Sequence, residues 1–251
     1  MPTSGSYNYT TTRDGIITRA LRIVGAIGQG ETPSATAITE AAEALNDLVK
    51  EWESDGMSLW CVRQYSFTPT AEKSVYTIGV GQVAPEINAI APNKVLQAWA
   101  RETTAVSDTP ILIIARHEYN MLGAKTTPGN STQLWYDPPG EAASAEMTGT
   151  LTFYPVPTTD TEINYTFFFT GVRPYADFDS ASDIPDFPRY WYNAVKWGLA
   201  DQLSYEYGVG LDERSRIERK ADKHKEIALS YGTEEGHLLI QPMPKWQYES
   251  Y

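Results

Sequence analysis

Ile16, Ile17, Ala20, Leu21, Val24 and Ile27 recur at spacings of three and four residues. That period paints one face of a helix and leaves Arg13, Arg19 and Arg22 on its outer side. Thr11 and Asp14 fit a capping box at the start, and Gly28 and Gly30 predict the stop. A second stripe follows Pro33, made by Ile38, Ala41, Ala42, Leu45, Leu48, Val49 and Trp52. Ser34 is its candidate N-cap, with Thr36 competing, and Gly56 suits the position just past its end. The short link between the two stripes predicts an antiparallel helical hairpin.

From Ser58 the pattern changes. Short runs rich in β-branched and aromatic residues span Leu59–Phe67, Val75–Ile78, Val95–Arg101, Ile111–Ile114, Gln133–Tyr136, Leu151–Tyr154 and Ile163–Val172. Pro, Gly, Asn and Asp separate them, as in an antiparallel sheet or sandwich. One short helix, about Arg116–Leu122, interrupts the series. Helical period returns after Pro185, where Asp186 and Pro188 are start signals. Trp191, Ala194, Val195, Gly198, Leu199 and Leu203 form its stripe, and Gly208 ends it. A last helix, about Asp212–Tyr231, is dense in charge, with Ile217, Ala221, Ile227 and Ala228 as a sparse apolar seam.

These patterns predict an α+β fold. A helical core of about four helices, two N-terminal and two C-terminal, holds an inserted antiparallel β-rich domain. The expected units are residues 12–57 and 186–231 as a discontinuous helical domain, 58–185 as the insertion, and 232–251 as an extended C-terminal arm. That arm has no helical period, and Pro242 and Pro244 keep it extended. Its Leu238, Leu239, Ile240, Met243, Trp246, Tyr248 and Tyr251 allow two readings, a disordered end or an arm that docks on another subunit or partner. Apolar and aromatic side chains are what interface cores use.

Composition narrows the chemistry. A single cysteine in 251 residues excludes an internal disulfide framework. With only three histidines beside it, no metal site and no cofactor are expected. The longest uncharged run, Met147–Thr159, is far short of the ~20 apolar residues of a membrane-spanning helix and contains two prolines. The first twelve residues are polar and uncharged, without a basic-then-apolar signal pattern, so a soluble protein made in a reducing cytoplasm is expected.

The net charge of −12 comes from 20 Lys+Arg against 32 Asp+Glu, and two blocks account for it. Residues 31–57 hold Glu31, Glu40, Glu43, Asp47, Glu51, Glu53 and Asp55 against Lys50. Residues 137–186 hold nine acids against Arg173. The blocks read as solvated acidic faces, or as surfaces that repel DNA or meet a basic partner. No basic excess of the kind that grips phosphate is visible.

Motif candidates are weak. Gly79-Val80-Gly81-Gln82-Val83-Ala84 has dinucleotide-site spacing, but Pro85 follows where a helix should start, so a hairpin turn is the better reading. Asp177-Phe178-Asp179-Ser180-Ala181 opens like a calcium loop, yet Ala181 stands at the third ligand position. His117, His224 and His237 are expected at the surface or in structural roles, and Cys61 in a core. No motif singles out a carboxylate pair, so no catalytic residue is assigned. The many acids and aromatics keep a carbohydrate-binding protein or cell-wall hydrolase as the alternative function.

A series of segments, taken in order, carries a resemblance: Arg19-Ala-Leu-Arg-Ile-Val-Gly-Ala-Ile27, Gly30-Glu-Thr-Pro-Ser34, and Ala44-Leu-Asn-Asp-Leu48 with Trp52 and Gly56. Then come Tyr76-Thr-Ile-Gly79, Leu134-Trp-Tyr-Asp-Pro138, Leu151-Thr-Phe-Tyr-Pro-Val-Pro157, Arg173-Pro174, and Ile184-Pro-Asp-Phe-Pro188 leading into Trp191 to Gly208. Over about residues 12–231 the chain resembles the head-to-tail adaptor, or connector, proteins of short-tailed bacteriophages. The resemblance implies a structural virion protein with no catalytic residues, found in the tail or neck and assembled in the host cytoplasm. It implies a dodecameric ring under the portal that extends the DNA channel, helps retain packaged DNA without sequence-specific binding, and presents a platform for tail nozzle, fibre and spike proteins. It also implies portal docking by a C-terminal arm, for which Leu238 to Tyr251 are the candidates.

Overall fold

The structure is a computed structural model that describes residues 5–56, 59–140 and 147–231. Among these residues the chain is mixed α/β, with six α-helices and eight strands. Helix α1 (Arg13–Val24) is capped by the Thr12 hydroxyl, which accepts from the Gly15 amide at 3.2 Å. The cap thus falls one residue later than the expected Thr11–Asp14 box, and Thr11 is buried instead. The helix also ends earlier than Gly28. Gly25 adopts φ +79°, a left-handed conformation that costs glycine little, and its amide bonds back to the Arg22 carbonyl. Helix α2 (Ala35–Ser54) starts where expected, with the Ser34 hydroxyl accepting from the Ala37 amide at 3.2 Å.

The chain then turns through a short 3-10 segment, Leu59–Cys61, into β1 (Val62–Phe67). There follow β2 (Val75–Gly79), β3 (Ile87–Asn88), β4 (Lys94–Glu102), β5 (Asp108–Ile113), α3 (Arg116–Met121), β6 (Gln133–Asp137), β7 (Gly149–Tyr154), α4 (Thr159–Asn164) and β8 (Tyr165–Val172). The sheet order is β1-β8-β4-β5-β6-β7-β2-β3. Two neighbours run parallel rather than antiparallel as expected: β5 with β6, and β2 with β3. Parallel neighbours need a crossover, and α3 with its flanking loops supplies one between β5 and β6. Strand β5 changes partner along its length: Asp108–Ile111 pair with β4, and Leu112 and Ile113 with β6. From Gly79, the end of β2, the segment to Ala84 runs into a loop between parallel strands, not a hairpin. Gly81 there has φ +84° and donates its amide to the Asn88 side chain at 2.9 Å.

Helix α4 was not anticipated. Its segment is polar, without an apolar period, and its start rests on a reciprocal cap. Thr158 accepts from the Thr161 amide while the Thr161 hydroxyl accepts from the Thr158 amide. Ile163 therefore belongs to this helix, and the strand expected from Ile163 begins at Tyr165.

After β8 a loop leads through the 3-10 turn Arg189–Trp191 to α5 (Tyr192–Glu206) and α6 (Leu211–Tyr231). Buried side chains form two clusters. One joins α1, α2, α5 and α6 and takes in Cys61, Tyr175, Phe178 and Phe187 from the connecting segments. The other lies within the sheet around Tyr76, Phe153, Phe167 and Phe169. In the first cluster α2 and α5 approach closely. A Cβ on Gly198 would meet the Trp52 ring at 3.0 Å and Leu48 at 3.1 Å. Trp60 packs against the helical cluster, stacked on Tyr175 at 5.5 Å and tilted against Trp191 at 5.0 Å. The chain leaves and returns at one place: Val62 pairs with Val172, and the Arg173 amide donates to the Cys61 carbonyl at 3.0 Å.

Candidate interaction surfaces

The α2 period that buries Ala41, Leu45, Leu48 and Trp52 turns Glu40, Glu43, Asp47 and Glu51 outward. Those four stand at i, i+3, i+7 and i+11, one stripe of a helix. Asp201 of α5 adds to the same side, flanked by Glu218 and Asp222 of α6. Burial, with those two carboxylates behind it, raises the Asp201 pKa above the ordinary aspartate value, while Arg214 opposes the shift. Burial with Glu40 and Glu206 similarly raises Tyr207. This side of the bundle therefore carries a negative field.

The second acidic block behaves differently. Asp137 bonds to Arg116 at 2.9 Å and Asp177 to Lys50 at 2.7 Å. Asp186 holds Arg173 through two bonds of 2.5 and 2.7 Å. Glu162 accepts from the Ala71 amide. Asp183 accepts from the Asp179 and Ser180 amides at 2.9 and 2.6 Å, which folds the would-be calcium loop around itself. The backbone of that loop receives the amides of Arg13 and Asp14, so it closes over the start of α1. These acids hold local structure instead of forming a free face. Among the described residues no three His, Cys, Asp or Glu side chains form a group that could hold a metal ion.

A basic groove, not anticipated from the sequence, lies between α1, α5 and α6. It encloses about 540 Å³ and is lined by Ile23, Trp197, Arg216, Ile217, Arg219, Lys220 and Lys223, with Glu213 as its one acid. Lys220 sits 4.5 Å above the Trp197 ring, and His224 stacks on the same ring at 6.2 Å. Burial lowers the Lys196 pKa, and Arg19 and Lys220 lower it further. Burial, then Lys196, Lys223 and Lys220, lower that of His224. The signal was the spacing of Arg216, Lys220 and Lys223. It was masked because α6 as a whole is almost balanced in charge.

The remaining expected residues are soon placed. Cys61 is buried, and that burial pushes its thiol up to about 11. His117 is exposed on α3. Leu238, Leu239, Ile240, Met243, Trp246, Tyr248 and Tyr251, and His237 with them, lie outside the described residues. No described helix is long and apolar enough to cross a membrane.

No curated protein matches the chain. The family model described as SU10 adaptor protein matches residues 11–226, which takes in α1, α2, the whole sheet, α5 and all of α6 but its last five residues. On that match the chain belongs to the SU10 adaptor protein family, a family of phage head-to-tail adaptors.

Proposed function

We propose that this chain is the ring-forming adaptor between portal and tail of its phage. Family membership over residues 11–226 carries the reading. In it, twelve copies bind beneath the portal, extend the DNA channel, help retain the packaged genome, and offer a platform to nozzle, fibre and spike proteins. The protein works as a structural element of the virion neck, assembled in the host cytoplasm, and encloses DNA without reading its sequence. Residues 12–57 and 186–231 act as the helical unit of about four helices and residues 58–185 as an inserted β unit. The two separate buried clusters support this division. The arm with Leu238, Leu239, Ile240, Met243, Trp246, Tyr248 and Tyr251 is the portal anchor, supported by its apolar and aromatic composition.

Imaging of the phage's own portal mixed with this protein tests the reading. An added ring of density beneath the portal is expected. A portal unchanged by excess adaptor overturns it, and acid-dependent degradation of cell wall by the purified protein would give the chain an enzymatic role instead.

A further inference from the structure

The charges on the helical bundle are largely sorted by side, with Glu213 lining the basic groove and Lys225 and Arg214, the latter over Tyr205, standing among the acids. The acidic side is built on α2 and the facing edges of α5 and α6, where Asp47, Glu51, Asp201 and Asp222 line shallow clefts that α1 does not reach. The groove around Trp197 is built on α1, α5 and α6, and α2 contributes nothing to it. Helix α6 divides its own charges accordingly. Arg216, Lys220 and Lys223 turn to the Trp197 groove, while Asp222 turns to the other side and Lys225 is held by Asp55 at 3.3 Å.

We propose that the basic groove around Trp197 receives the acidic α2 stripe of a second copy, joining neighbouring adaptors head to tail. The inference rests on the ring reading above and assigns the faces that would meet. The last three acids of the stripe match the row of cations in length. Glu43, Asp47 and Glu51 span ~12 Å of helix, and Arg216 to Lys223 ~10 Å, at 1.5 Å per residue. The groove floor is Trp197 with Ile23 and Ile217, so it is an apolar seat rimmed by charge, the composition of an interface centre. Because α2 takes no part in the groove and α1 none in the acidic clefts, a chain that has docked one face still presents the other. Such heterologous contacts generate rings when the rotation closes. The chain's net charge of −12 makes copies repel except where opposite faces align, so the contact also sets register. The same negative charge disfavours DNA as the occupant.

Zero-length carbodiimide coupling of the full chain, mixed as heavy- and light-isotope copies, provides the test. Mixed-label peptides joining Lys220 or Lys223 to Glu43, Asp47 or Glu51 are expected. Lys220→Glu with Lys223→Glu should weaken self-association at low salt by about tenfold or more. Adding Glu43→Lys, Asp47→Lys and Glu51→Lys to the same chain should restore it, which a merely misfolded variant would not do. Ring assembly on portal that ignores both sets of reversals overturns the inference and leaves the ring standing. No self-association of the wild-type chain, with or without portal, overturns both. A duplex DNA bound by the wild type and released by the Lys220/Lys223 variant gives the groove to DNA and also overturns it.

Discussion

Asn46 on α2 and the backbone of Phe178 exchange two hydrogen bonds across 132 positions of sequence. The Asn46 carbonyl oxygen accepts from the Phe178 amide at 3.0 Å, and its amide nitrogen donates to the Phe178 carbonyl at 3.4 Å. The pair moors the loop after β8 to the N-terminal helical hairpin while the Phe178 ring is buried in the helical cluster. Asn46→Ala leaves both backbone groups without that partner and should cost about 1–3 kcal/mol. Denaturant unfolding of the variant checks this. Asn46→Asp keeps the acceptor and should lose less.

Arg173 and Asp186 form the second tie of the same loop, with side chains only 13% and 25% exposed. Removing one partner leaves a poorly solvated charge. Arg173→Ala should therefore destabilise by about 2–3 kcal/mol, and Arg173→Lys should recover only part because it loses the two-pronged geometry. Thermal melts of the two variants and of Asp186→Asn order these effects.

Gly198 is the contact point of α5 with α2. Alanine there gains helix propensity but must push aside Trp52 and Leu48, so its net effect should be small. Valine has no such room, and Gly198→Val should cost about 1–3 kcal/mol through overpacking. A change in near-UV circular dichroism from Trp52 should accompany it.

Asp201 gives the acidic side a pH signature. Its pKa is raised by burial and by Glu218 and Asp222, so the folded state binds its proton more readily than the unfolded chain does. The group therefore weakens the fold at pH values above its folded pKa. The penalty fades as pH falls through that value and vanishes below the ordinary aspartate pKa. Asp201→Asn should raise the melting temperature at neutral pH, and the gain should shrink to nothing in acid. A gain that persists at low pH would assign the effect to packing instead.

Cutting the chain after Gly232 removes Leu238 to Tyr251 and leaves every described helix and strand intact. The truncated protein should keep its melting temperature and lose co-sedimentation with portal. Continued co-sedimentation would move the anchor elsewhere.

Much of this architecture was legible because burial leaves a period. Ile16 to Val24, Ala41 to Trp52 and Ala194 to Leu203 form the helical cluster in the pattern their spacing predicts. What escaped was set by distant partners. That Leu112 pairs with Gln133 in parallel depends on where α3 returns the chain, not on either strand's composition. Helix α4 hid because its only signal was Thr158 and Thr161 three residues apart. Charge was misread for a related reason. Adding acids along residues 137–186 treats Asp137 and Asp177 as free, although each is matched by a base from outside that block, Arg116 and Lys50. The groove around Trp197 takes its cations from α6 but Ile23 from α1 and Trp197 from α5, so no window of sequence contains it.

The pairing of Val62 with Val172 also bears on how the chain reaches its fold. The two helical pairs lie at opposite ends of a long sequence, and bringing them together directly carries the closure entropy of everything between. Once β1 and β8 zip, Cys61 and Arg173 are held side by side, and the helical halves meet as if joined by a short turn. The sheet thus serves as the splint on which the bundle closes. Weakening the β1–β8 ladder beyond Val172, which packs against the helical cluster, should slow formation of that cluster.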